Sequence, residues 1–372
     1  MIDMGILALT WQNASMILIG LLLLFLAISK EMEPLLLGPI GFAVILANLP
    51  LTGITAPPGS EIGPGFMYII YNELISTGVI PLIIFLGIGT MTDFSPLLAN
   101  PKTFLLGAAA QVGIFLALGL AVIIGFDLSA AASIGIIGGA DGPTAIYAAT
   151  RLVGERPEII AAVTVSAYSY MALVPIIQPP IIKALTTKKQ RKIKMGKMRE
   201  VSKLEKIVFP IGVTIIVGLL VPDALPLVGM LMIGNLFQTS GVMDRLSNTG
   251  GESLMDIATI LLGLGVGFLM KGNTFLQIST LKILLLGVFA FATATAGGVL
   301  FGQIYYKFSK GKINPMIGAA GVSAVPMASR VVQKMGREED TSSHLLMHAM
   351  GPNVAGVIGS ATAAGVLIGL LG

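Results

Sequence analysis

The chain has no cysteine among its 372 residues, which excludes disulfides, iron–sulfur clusters and thiolate metal sites. Two histidines, His344 and His348, are too few for a histidine-rich metal centre, so any bound metal is expected to be held by oxygen. Charge is scarce as well. Only 11% of residues are charged, against about 25% in soluble domains, and the mean hydropathy is +0.90. Water is therefore not the main solvent of this chain, and no polar stretch is long enough to build a sizeable soluble domain. The segment Met1 to Ser15 lacks a basic run and a small-residue cleavage site, so the first apolar run is expected to be retained.

Apolar runs fill the rest. They lie near 15–29, 34–50, 66–91, 102–125, 129–150, 158–182, 206–221, 224–240, 254–270, 281–306, 315–333 and 344–371. Asn100-Pro101-Lys102, Arg156-Pro157-Glu158, Pro222-Asp223 and Asn314-Pro315 separate several of them at points where a helix stops or starts cheaply. Helices satisfy their own backbone in lipid, so the expected fold is an all-α polytopic membrane protein of about 10–12 transmembrane segments.

The formal charge of +4 is concentrated in one loop that holds Lys188, Lys189, Arg191, Lys192, Lys194, Lys197 and Arg199. Short loops rich in Lys and Arg stay in the cytoplasm, which places 186–205 there and makes nucleic-acid binding unnecessary as an explanation. Docking of a cytoplasmic partner or of lipid headgroups is an added role for such a loop. It divides a single membrane domain into a first half, 1–185, and a second half, 206–372.

The halves echo each other. Gly135, Gly138, Pro143 and Ala145 recur 183 positions later as Gly318, Gly321, Pro326 and Ala328. Weaker echoes are Pro34-Leu35 with Pro226-Leu227, and Leu86-Gly87-Ile88-Gly89 with Leu262-Gly263-Leu264-Gly265. The runs number six per half. If 129–150 and 315–333 are broken or re-entrant, or if one marginal run lies along the surface, the count becomes odd and the repeat inverted, and an inverted repeat with broken helices at the midplane is expected.

The most informative segment runs from Gly135 to Tyr147, an apolar span interrupted by Gly138-Gly139-Ala140-Asp141-Gly142-Pro143-Thr144. Pro143 cannot donate a backbone hydrogen bond and Gly142 tolerates unusual dihedrals, so a break is predicted that frees carbonyl oxygens near Gly138 to Ala140. Freed carbonyls beside the Asp141 carboxylate and the Thr144 hydroxyl suit a hard cation such as Na⁺. An Asp at a helix centre costs about 2.5–3.5 kcal/mol to insert, which marks Asp141 as a functional residue, although an acid that merely stabilises a kink would look the same. Such a carboxylate can also exchange Na⁺ for H⁺.

In the second half the breaker pattern remains and the acid does not. Ser323 stands in that segment and would face Asp141 if the repeats meet at the midplane; its bland alternative is a small packing residue. Arg330 is a counter-ion or an interfacial anchor. Two more polar patches interrupt apolar runs, Ser166-Ala167-Tyr168-Ser169-Tyr170 followed by Gln178-Pro179-Pro180, and Gly351-Pro352-Asn353 through Ser360. Asn353 and Ser360 are two turns apart on one helix face and can line one pathway, whereas Asn353 alone would be ordinary interhelical glue.

The stretch Gly138 to Ile146, the run Tyr168-Ser169-Tyr170-Met171-Ala172-Leu173-Val174-Pro175-Ile176-Ile177-Gln178-Pro179-Pro180 and the segment Gly351 to Ser360 closely resemble the β subunits of sodium-translocating, biotin-dependent decarboxylases. These act on oxaloacetate, methylmalonyl-CoA, glutaconyl-CoA or malonate. The resemblance implies a translocase subunit that accepts carboxybiotin from partners, decarboxylates it with uptake of a proton and exports Na⁺ across the bacterial or archaeal inner membrane. The implied partners are a biotin-dependent carboxyltransferase α subunit, a biotin carrier protein and a small single-span γ subunit, in an assembly built on a trimer. Biotin is expected on a partner, because the chain has no biotin-attachment Met-Lys-Met motif in a lipoyl-like context. By the same resemblance Asp141 is the essential membrane acid, Tyr170 or Tyr168 the pathway tyrosine, and Asn353 and Ser360 second-half ligands for Na⁺ or a proton. Duplicated halves with broken helices also fit a Na⁺- or H⁺-coupled secondary transporter, while a pure scaffold leaves Asp141 without a use.

Overall fold

The computed structural model describes residues 4–372 apart from Ala140, Glu155 and the side chain of Ala172. No strand occurs among the described residues. The principal helices are α1 (Trp11–Ser29), α2 (Pro34–Asn48), α3 (Phe66–Ile75), α4 (Val79–Met91), α5 (Pro101–Ile124), α6 (Leu128–Gly139), α7 (Gly142–Val153), α8 (Pro157–Leu185), α9 (Lys203–Leu220), α10 (Leu225–Ser240), α11 (Asp244–Leu269), α12 (Ile278–Phe308), α13 (Met327–Glu339) and α14 (Leu346–Leu371). A 3-10 segment, Pro315–Gly321, precedes α13. By length and composition α1, α5, α11, α12 and α14 can each cross a hydrocarbon core alone. The bent pair α3–α4 and the bent α8 raise the number to seven.

The bends have local causes. Between α3 and α4 the chain turns by 64° at Gly78, which has φ +88°. The Ser76 and Thr77 hydroxyls donate to the carbonyls of Asn72 and Glu73 there, at 2.6 and 2.8 Å. In α8 the axis turns by 67° between Met171 and Leu173, where Pro175 deprives the Met171 carbonyl of its helical partner.

Two of the twelve apolar runs turn back. Asp127 caps α6 by accepting from the Ala130 amide at 3.1 Å, and its carboxylate pairs in two-pronged fashion with Arg156 at the start of α8. The chain thus leaves through α6 and returns through α7 to the point where it began. The second such hairpin comprises the 3-10 segment and α13, and both its ends rest on the basic loop. Asn314 donates to the carbonyls of Arg191 and Ile193 at 3.1 and 3.0 Å, while Arg191 pairs with Glu339 at 2.7 Å and Lys194 with Asp340 at 3.1 Å. The two bases lie at opposite ends of α8, and the tips meet where the Ser323 amide donates to the Gly139 carbonyl at 3.0 Å. Each of the runs 129–150 and 315–333 therefore folds back as a hairpin.

Helices from the two halves exchange partners. A Cβ on Gly89 of α4 would stand 2.0 Å from the Leu231 carbonyl of α10, and one on Gly234 of α10 would stand 2.1 Å from the Leu86 carbonyl of α4. Likewise Cβ atoms on Gly263 and Gly267 of α11 would strike Pro39 and Ala43 of α2, at 2.5 and 2.3 Å. At the ends of these pairs a buried asparagine donates across the seam. Asn48 at the end of α2 reaches the Met270 carbonyl just past α11 at 2.8 Å, and Asn235 in α10 reaches the Thr92 carbonyl just past α4 at 2.9 Å. The echo between the Leu-Gly-x-Gly stretches thus has a physical counterpart: each is a close-packing seam against a helix of the other half.

Removing either asparagine leaves a buried carbonyl unpaired, so Asn48→Ala and Asn235→Ala are each expected to destabilise the protein by about 1–3 kcal/mol. Asn48 should cost more, because its Oδ1 also accepts from the Gly272 amide at 2.8 Å whereas the Asn235 Oδ1 has no partner among the described residues. Thermal midpoints in detergent check the order; equal losses would contradict it. The base of the first hairpin should respond to acid. The Arg156 guanidinium holds the Asp127 carboxyl below its ordinary 3.8, at about 2. A lowered carboxylate pKa stabilises above the ordinary value and is lost as pH falls through the folded one. Hydrogen exchange at the start of α6, corrected for intrinsic rates, should therefore rise between about pH 4 and pH 2, modestly, since both side chains are partly exposed. In Arg156→Gln that rise should be largely gone.

Candidate functional site

At the tip of the first hairpin glycines bring backbones together. A Cβ on Gly138 would lie 2.8 Å from the Gly113 carbonyl carbon of α5, and one on Gly139 would lie 2.8 Å from the Ser360 Cβ of α14. Ala140, expected to contribute a carbonyl, lies outside the described residues. Asp141 then adopts an extended conformation and caps α7: its carboxylate accepts from the Thr144 amide at 3.3 Å and from the Thr144 hydroxyl at 2.9 Å. Pro143 sits in the first turn, where a missing amide hydrogen costs nothing. The carboxylate is buried yet faces the positive end of a helix.

The second tip fits onto the first. Ser323 accepts nothing from Asp141; it donates its amide and its hydroxyl, at 3.0 and 2.5 Å, to the Gly139 carbonyl two residues before the acid. Ser360 of α14 approaches within 3.3 Å of the Ser323 hydroxyl and donates to the Val357 carbonyl at 3.1 Å. Seven residues back, Asn353 donates to the Val322 carbonyl in the second break at 2.7 Å, and its Oδ1 is buried without a partner among the described residues. Gln178 of α8 does the same on the other flank, holding the Ala319 carbonyl at 2.8 Å and leaving its Oε1 bare.

The structure thus brings Asp141, Thr144, Ser323, Ser360 and Asn353 around one junction. It separates the two tyrosines. Tyr168 is buried with its ring against Gly142, where a Cβ would lie 2.1 Å from Cε1, and its hydroxyl has no partner among the described residues. Tyr170 points to α12, with its ring on Gly287 and its hydroxyl donating to the Leu284 carbonyl. Arg330 is exposed on α13. It lines a cavity of about 500 Å³ with Lys334, Arg337, Gln333, Glu338 and Leu346, near the base of the second hairpin.

Sequence reasoning misses one residue here, Gln111 of α5, whose buried Oε1 is also unpaired among the described residues. The available signal is a lone amide inside the apolar run 102–125.

Among the described residues no group of three His, Asp or Glu side chains converges, so a transition-metal centre has no ligands there. Carboxylate, hydroxyl and amide oxygens do lie on the segments that meet there, together with backbone carbonyls. That donor set fits a hard monovalent cation held by one negative charge, and the bare Asn353 oxygen is an acceptor in need of a positive partner.

Comparison with known proteins agrees in length and kind. Residues 12–371 match the family model described as the Na⁺-transporting oxaloacetate decarboxylase β subunit. The glutaconyl-CoA decarboxylase β subunit of Acidaminococcus fermentans is 54% identical over 370 residues, covering 100% of this chain and 96% of its own. The methylmalonyl-CoA decarboxylase β subunit of Veillonella parvula is 55% identical over 369 residues, covering 99% and 96%. The oxaloacetate decarboxylase β chain of Haemophilus ducreyi is 51% identical over 421 residues, covering 98% and 96%. An all-helical membrane chain with a buried acid at an oxygen-lined junction, matched nearly end to end, belongs to the β-subunit family of the Na⁺-transporting decarboxylases.

Proposed function

We propose that this chain decarboxylates carboxybiotin delivered by a partner and couples that reaction to export of Na⁺ through the junction of its two hairpins. The observation that carries the reading is the contact between Ser323 and the Gly139 carbonyl, which closes two opposed hairpins on each other beside the buried Asp141. The transported ion is held by Asp141, Thr144, Ser323, Ser360 and Asn353. Each hairpin reaches the junction from a different end of α8, so movement at one tip opens the ion to one side only.

Loss of the carboxyl group from carboxybiotin leaves a nitrogen that must take up a proton, with CO₂ departing. Asp141 supplies the connection: it carries a proton when Na⁺ is absent and releases it when Na⁺ binds. Export against 100 mV costs about 2.3 kcal/mol per ion, so the exchange has to be gated by consumption of carboxybiotin. Between the tyrosines, the position of Tyr168 against Gly142 and its unpartnered hydroxyl support it as the residue that lines the path to Asp141. Tyr170 secures α8 to α12.

The partners in this reading are a carboxyltransferase α subunit, a biotin carrier and a small γ subunit around a trimer of this chain, in the inner membrane. Without the two hairpins five apolar paths remain per half, an odd number, which makes the halves an inverted duplication. The reciprocal seams of α2 with α11 and α10 with α4 support that relation. The basic loop and the base of the second hairpin then face the cytoplasm, and Asp127 with Arg156 the outside.

The native absence of cysteine allows a clean topology test. In intact cells Lys197→Cys should stay unreactive to a membrane-impermeant maleimide while Glu61→Cys reacts; the opposite pattern would reverse the direction assigned to transport. For the chemistry, the assembled complex should decarboxylate carboxybiotin in a Na⁺-dependent manner, and Asp141→Asn should lower the rate at least about a hundredfold, or about 2.7 kcal/mol. Decarboxylation that is absent from an intact complex would leave a coupled secondary transporter as the function.

A further inference from the structure

Gln111 interrupts α5 at the level where the two hairpins meet. Its amide donates to the Ala108 carbonyl and its carbonyl accepts from the Ile114 amide, three residues away in each case, at 3.1 and 2.9 Å. One residue before it, Ala110 supports the second tip: a Cβ on Gly321 would lie 3.0 Å from the Ala110 Cβ. Two and three residues after it, Gly113 and Ile114 support the first tip, with the Ile114 amide 2.8 Å from the position of a Cβ on Gly138. Gln111 is therefore bracketed by the contacts that hold both tips.

Its side chain is inserted between α5 and α14. The Nε2 group donates to the carbonyls of Gly107 and Gly356 at 3.0 and 3.4 Å. A Cβ on Gly359, the neighbour of Ser360, would stand 3.1 to 3.2 Å from the Nε2, Cδ and Cγ atoms of Gln111, so glycine keeps that space for the amide. The residue is 6% exposed, and its Oε1 is buried with no partner among the described residues. The donors fix the group between α5 and α14 and leave its oxygen bare. A rigid, bare amide oxygen is what a weakly acidic hard cation requires as ligand.

We infer that Gln111 is a further oxygen ligand of the transported cation, on the α14 side with Ser360 and Asn353. This rests on the reading that the hairpin junction binds Na⁺. It makes the first-half helix α5 part of the site in addition to the hairpins and α14, so a change in the α5–α14 seam would alter ion affinity.

The test is Na⁺ binding by the purified complex in choline buffer, read both as ²²Na⁺ retained and as Na⁺-dependent rise in thermal midpoint. Gln111→Met keeps the length and removes the oxygen; it should raise the half-saturating Na⁺ concentration about tenfold, equivalent to about 1.4 kcal/mol. Gln111→Glu keeps an oxygen and adds an acid, so its half-saturation should fall as pH rises, more steeply than in wild type. If the Met variant yields no folded complex, the Glu variant decides alone. Half-saturation and pH dependence equal to wild type in the folded variants would overturn the role of Gln111 while leaving the junction as the ion site. Absence of Na⁺ binding in wild type would overturn both.

Discussion

One carbonyl oxygen organises the centre of this molecule. Gly139 ends the first half of a broken helix, and in a hydrocarbon environment its carbonyl has neither a helical partner nor water. Ser323 supplies two donors to it from the tip of the other hairpin. Neither hairpin can pull back without stranding that oxygen and the Ser323 donors, so the ends of the two re-entrant segments are tied together by the need to satisfy the backbone. Everything that forms the candidate ion site is placed relative to this bond: Asp141 two residues on, Ser360 against the Gly139 backbone, and Asn353 on the carbonyl of Val322 beside Ser323.

The bond is possible only because the surrounding backbones approach one another without side chains. Cβ atoms on Gly298 and Gly318 would each stand 2.0 Å from the other's carbonyl oxygen, which presses the incoming arm of the second hairpin onto α12. A Cβ on Gly356 would stand 2.2 Å from the Gly321 carbonyl, which presses the same arm onto α14. In lipid no hydrophobic force drives helix onto helix, so close van der Waals contact at small residues has to supply it. The abundance of glycine and the readiness of the chain to carry broken helices are thus one property. The same contacts that give cohesion leave carbonyls within reach of an ion.

Much of this was legible in the residues. Pro143, Gly142 and Asp141 announce a break and a buried acid, and the recurrence of Gly135 and Gly138 as Gly318 and Gly321 marks the two segments that meet. The breaks allowed for re-entrant segments, but the residues on which each hairpin closes were not legible, because hydropathy records that a run is apolar and not where its chain returns. That depends on Asp127 finding Arg156, 29 residues away, and on Asn314 finding the carbonyls of the basic loop. Tyr168 and Tyr170 lie two positions apart on one helix and so point to different neighbours; only the placement of α7 and α12 around α8 assigns Gly142 to one and Leu284 to the other. Gln111 is a single amide without a motif, and its meaning comes from Gly356 and Gly359, about 245 residues later.

The asymmetry between the halves bears on coupling. Both breaks keep glycine and proline, but only the first keeps an acid; the second presents Ser323. With a single carboxylate, the junction is neutral when Asp141 is protonated and again when it holds Na⁺, and it is charged only when both are missing. A bare carboxylate in the membrane is the costly state, by about 2.5–3.5 kcal/mol on insertion scales. On the proposed reading, reorientation of the hairpins is therefore permitted with a proton or with Na⁺ and penalised when empty. A second acid at position 323 would have left a charge in both loaded states and removed that penalty's discrimination, so on that reading a junction with one acid is better suited to exchange than one with two.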